Sequence, residues 1–74
     1  MNTTKADVTV LMSLIRNMIS EEKVTSMKEI NDLCRAKIFE LEMWEYEWLH
    51  GEMVSYYLIH CEARNKVPVS GYKD

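Results

Sequence analysis

Between positions 5 and 65 this sequence has no proline and a single glycine, Gly51. Proline breaks a helix because it lacks an N–H and its ring collides with the preceding turn. Glycine weakens one through backbone entropy. A stretch this long with so few breakers is dominated by helix. Pro68 and Gly71 fall in the last stretch, 66–74, which reads as an extended or disordered tail.

The apolar spacing agrees. Val8, Leu11, Met12, Leu14, Ile15, Met18 and Ile19 recur at helical intervals, with Val10 beside them. Thr4 and Asp7 supply a start signal, so a first helix is expected over about 5–23. Ser26 and Glu29 form a second start signal: the hydroxyl accepts from an orphan backbone N–H and the carboxylate reaches back to the cap. The short connection makes the two helices antiparallel neighbours. No capping signal follows Gly51, so a single second helix is expected over about 27–65, kinked or, as the alternative, broken at Gly51. It would be about 58 Å long at 1.5 Å per residue. The expected fold is all-α: an antiparallel helical hairpin with a long second helix, one domain over 1–66 and a tail over 67–74.

Size sets a problem for that fold. A chain of 74 residues sits at the limit where one core suffices without a staple or a partner. Cys34 and Cys61 are too few for a disulfide framework and read as buried reduced thiols. The apolar supply is nevertheless ample, with 47% of residues hydrophobic. On a continuous second helix these residues form two opposed stripes. Ile30, Leu33, Cys34, Leu41, Trp44, Trp48 and Ile59 make one; Phe39, Met43, Tyr46, Met53, Val54, Tyr57 and Cys61 make the other. One short helix cannot cover both. The uncovered surface is expected to meet another chain, so a bundle is completed by dimerisation or by a partner protein. The plainer alternative is a third helix that folds back beyond Gly51.

Interface candidates on this reading are Phe39, Met43, Trp44, Tyr46, Trp48, Met53, Val54 and Tyr57. An acidic rim of Glu40, Glu42, Glu45 and Glu47 runs beside them. Aromatics supply contact area and carboxylates steer encounter with a basic partner. Between Glu40 and Glu52 there are five Glu and no Lys or Arg, and the formal net charge is −3. The basic footprint expected of a nucleic-acid binder is missing. The turn before Met27 could open a DNA-reading helix, and the acidic stretch could mimic nucleic acid, so a DNA-associated regulator or mimic stands as an alternative.

Enzyme chemistry finds no support. There is no P-loop, no dinucleotide fingerprint and no nucleophile elbow. Glu47 and His50 have the Glu-x-x-His spacing used in di-metal helical bundles, which keeps a metal-binding bundle as a second alternative. No cofactor or membrane is expected, since no apolar run approaches the ~18 residues of a spanning helix. No signal-peptide pattern opens the sequence, and the expected setting is the cytoplasm. The leading expectation is a small, non-enzymatic helical interaction protein that binds and modulates another protein, of adaptor, chaperone or inhibitor type.

Overall fold

A computed structural model describes residues 5–72, with side chains from Val8 onward. The Thr4–Asp7 start signal and the end of the tail, Lys73 and Asp74, lie outside what it describes. All regular structure among the described residues is helical: α1 (Lys5–Ser20), α2 (Met27–Arg35) and α3 (Met43–Ala63), with a 3-10 turn at Ile38–Glu40 between α2 and α3. The long second helix of the sequence reading is therefore two helices. It breaks at 36–42, not at Gly51, which sits inside α3.

The break has a physical cause that carries no glycine. Glu42 and Glu45 form a capping box at the start of α3, with Glu45 Oε1 accepting from Glu42 N–H at 2.8 Å. That cap lets the chain reverse after α2. The hydrogen bonds then set the direction: Tyr57 of α3 reaches Thr25 just before α2, and His50 reaches Asn31 one turn into it. So α2 and α3 run antiparallel. The C-terminal end of α1 lies beside the C-terminal half of α3, where Ser20 Oγ and Tyr56 Oη are 2.7 Å apart. α3 packs against both other helices.

One core results. α1 contributes Val8, Met12, Ile15 and Ile19; α2 contributes Ile30 and Cys34; α3 contributes Leu49, Met53, Tyr57 and Cys61. Each helix buries residues three and four apart, one stripe per helix. Val10 and Leu14, part of the expected apolar run of α1, face outward. Burying a side chain of this size stabilises by roughly 1.5–3 kcal/mol.

Two helix ends close in the same way. α1 stops at Ser20, three residues before the expected end, because Glu22 takes a left-handed conformation (φ 61°). Lys23 N–H then reaches Met18 O at 2.9 Å and Glu22 N–H reaches Ile19 O at 3.0 Å. α3 closes with Asn65 (φ 56°), Lys66 N–H to Cys61 O and Asn65 N–H to Glu62 O. Both are Schellman turns that satisfy the last carbonyls. They are pinned together, since Lys66 Nζ donates to Glu22 Oε2 at 2.7 Å.

The tail has no regular secondary structure from Lys66 to Tyr72, and it is docked. Met27 N–H donates to Val69 O (2.8 Å) and Lys28 N–H to Ser70 O (2.9 Å). These are orphan donors of α2's first turn. Glu29 N–H bonds Ser26 Oγ at 3.2 Å, as the start signal implied, but the Glu29 carboxylate takes Thr25 N–H and not Ser26 N–H. Tyr57 Oη donates to Thr25 O and accepts from Val69 N–H, joining loop, helix and tail at one atom. Gly71 (φ 82°) lies against Ser26, whose Oγ would stand 2.6 Å from an added Cβ.

Two glycines therefore make opposite predictions. Gly71→Ala is expected to undock the tail: amide exchange at Met27 and Lys28 should accelerate while that of Leu49 and Met53 stays protected, and unchanged exchange at Met27 would refute the clasp. Gly51 has nothing within 4 Å of its missing Cβ. Gly51→Ala is expected to raise stability by about 0.5–1 kcal/mol in urea denaturation, the ordinary helix-interior difference.

Candidate interaction surface

The sequence-derived interface set divides by burial. Met53 (0% exposed) and Tyr57 (3%) are core residues, not surface ones, because α3 turns them toward α1 and α2. Tyr46 and Val54 are half-buried beside that core. Phe39 (100%), Met43 (73%), Trp44 and Trp48 face outward. The acidic set divides likewise. Glu40, Glu42 and Glu47 are exposed, whereas Glu45 is buried and its carboxylate serves the capping box. Phe39 belongs to the 3-10 turn, so it shares no continuous helical face with Met53 as the long-helix reading required.

The outward face of α3 is the most distinctive surface of the chain. Trp44 and Trp48, one turn apart, stack with ring centroids 6.3 Å apart and planes at 20°. Farther along the same side come Gly51 and Ser55, then Leu58 and Ile59, all exposed. Spacing alone puts Trp44, Trp48 and Ile59 on one stripe, but it adds Ile30, Leu33, Cys34 and Leu41, which the break separates from α3. Gly51, Ser55 and Leu58 were missed, and the signal that could have shown them is the buried column at Leu49, Met53, Tyr57 and Cys61, which leaves their side to solvent. Glu47, Glu52 and Glu62 are exposed on α3, which contains no Lys or Arg.

Other groups are engaged elsewhere. His50 Nε2 donates to Asn31 Oδ1, and the same amide bonds Tyr72 Oη, so a polar chain ties α3 to α2 and the tail. The His50 ring also stacks on Tyr46. Glu47 stays exposed, and no group of three metal-ligating side chains forms among the described residues. The start of α2, where a DNA-reading helix would present its donors, is covered by the tail's carbonyls. No helix among the described residues is long and apolar enough to cross a membrane.

A cavity of about 120 Å³ lies under the tail, lined by Val24, Tyr57, His60, Cys61, Lys66 and Val69 among others. His60 Nε2 is buried there without a hydrogen-bond partner, 3.6 Å from Glu22 Oε2. The Lys66 ammonium holds the Glu22 carboxyl below its ordinary value. Tyr57 already donates and accepts. The polar groups of this cavity thus serve mainly to fasten the tail.

Comparison with protein-family models, with curated proteins and with solved structures finds no match to this chain.

Both cysteines are free and buried. Burial pushes the Cys34 thiol from its ordinary 9.0 to about 11. Burial also raises Tyr57 above its ordinary 10.0, with the Cys61 thiol adding to the effect and the Val69 N–H opposing it. Both groups prefer to stay neutral in the folded chain. Their contribution is complete below the unfolded values and is lost as pH rises through the folded ones. Stability is therefore expected to fall from about pH 9 to pH 11. Cys34→Ala should flatten the first part of that fall in denaturation curves measured across the range; an unchanged curve would contradict the assignment to Cys34.

Proposed function

We propose that this chain is a small, non-enzymatic helical interaction protein that binds and modulates another protein in the cytoplasm, acting as adaptor, chaperone or inhibitor. The outward face of α3 is its docking surface. One observation carries this reading: the core closes without Trp44 and Trp48, and the two stacked residues stay 49% and 39% exposed, with Leu58 and Ile59 exposed on the same side. Exposed apolar surface of this kind on a monomer marks an interaction site. Tryptophan is also the side chain most enriched among residues that dominate binding energy. Phe39 and Met43 extend the apolar surface at the start of the helix. Association with a second copy remains the alternative form of the same reading.

The test is site-specific photocrosslinking in the source cell. A photoreactive residue at Trp48 or Ile59 is expected to give a discrete product, and the same residue at Asp32, exposed on α2, is not. Equal products at all three positions, or none at Trp48 and Ile59, would sink the proposal. The mass of the product separates a second copy from a different protein.

A further inference from the structure

We infer that the outward face of α3 receives a basic amphipathic helix of a partner protein, seated across Gly51 and Ser55. This rests on the docking role proposed above and names the occupant.

The first observation is Gly51. A glycine in a helix interior costs about 1 kcal/mol relative to alanine. Nothing inside this chain requires it: an added Cβ would meet no atom within 4 Å, and Gly51 is not at a turn or a left-handed position. Its missing side chain faces solvent, and Ser55, one turn on, is small as well. The helix surface therefore dips at its middle. Trp48 stands on one side of the dip and Leu58 on the other. Ten residues separate them, about 15 Å along the axis, and a helix with its side chains is about 10–12 Å across. Small residues at a crossing point let two helices approach closely, because the interaxial distance follows the side chains at the contact.

Charge selects the occupant. Glu47, Glu52 and Glu62 are exposed along α3, and there is no Lys or Arg from Met43 to Ala63. A second copy would bring these carboxylates against their equivalents. A helix with an apolar stripe flanked by Lys or Arg meets the aromatic and aliphatic walls with its stripe and the carboxylates with its flanks, the helix-in-groove mode of recognition. Opposite charges at the rim also raise the rate of encounter and make it salt-dependent.

The full chain should be titrated with two synthetic helical peptides that share a leucine stripe, one with lysines and one with glutamates on the polar face. Tryptophan emission reports binding, and sedimentation reports stoichiometry. The lysine peptide is expected to form a one-to-one complex that shifts the emission to the blue and weakens with added salt. The glutamate peptide is expected to leave it unchanged. Gly51→Gln, a good helix former that should fold as well as the parent, is expected to weaken binding about tenfold by filling the dip. Glu52→Gln should also weaken binding, while Asp32→Asn, which removes the same charge from α2, should not.

Equal loss in Glu52→Gln and Asp32→Asn overturns the inference, since net charge alone would then explain binding. Binding of the glutamate peptide, or full binding by Gly51→Gln, overturns it too. A dimer that buries both tryptophans and excludes the lysine peptide overturns this occupant but leaves the docking role intact. A monomer that ignores both peptides yet still crosslinks at Trp48 does the same. Absence of the crosslink removes both.

Discussion

Leu49, Met53, Tyr57 and Cys61 form a column on one side of α3, and that column can be buried by two helices only if the chain turns back between Ala36 and Glu42. The reversal brings Ile30 and Cys34 onto α3 while α1 supplies Val8, Met12, Ile15 and Ile19. A continuous helix in its place would have left much of this surface in water. No special residue makes the turn. It is held by a capping box of two glutamates, one of them almost completely buried. Burial of a carboxylate is tolerable there because its oxygen accepts a backbone N–H.

The tail gives a small core the closure that its size makes difficult. Its carbonyls satisfy donors at the start of α2, which otherwise need side chains or water. Tyr57 Oη, the Lys66–Glu22 pair and the Asn31 amide fasten it at three further places, each on a different element. Each of these contacts must exceed the entropy of ordering the tail residues it holds. Exposed ion pairs such as Lys66–Glu22 contribute little alone. The Tyr57 bridge matters more because it is partly shielded from water.

With the core and the tail accounted for, the outer side of α3 is what the fold does not use. It keeps two stacked, partly exposed tryptophans and a glycine in mid-helix. Each disfavours the isolated chain slightly. Sequences commonly depart from local stability rules where function requires it, and here two departures share one face with a row of carboxylates.

Helical class was legible from the sequence. One glycine and no proline over 5–65 leave little alternative, and the periodicity of α1 and the Ser26 start signal are local properties that the structure retains. The surplus of apolar residues was legible too, as was the shared side of Trp44, Trp48 and Ile59, but not the separation of Ile30, Leu33, Cys34 and Leu41 from them. The break at 36–42 was not. Glutamate is a weak sign of a helix start, and Gly51 was the stronger breaker by propensity. Once the break moved, Met53 and Tyr57 became core and Glu45 became a cap. The Gly71 contact with Ser26 joins residues 45 positions apart, which no local pattern encodes. Local hydrogen bonding and spacing determine which segments become helices. Which side of each helix is hidden depends on where the chain reverses, and packing across the whole fold decides that.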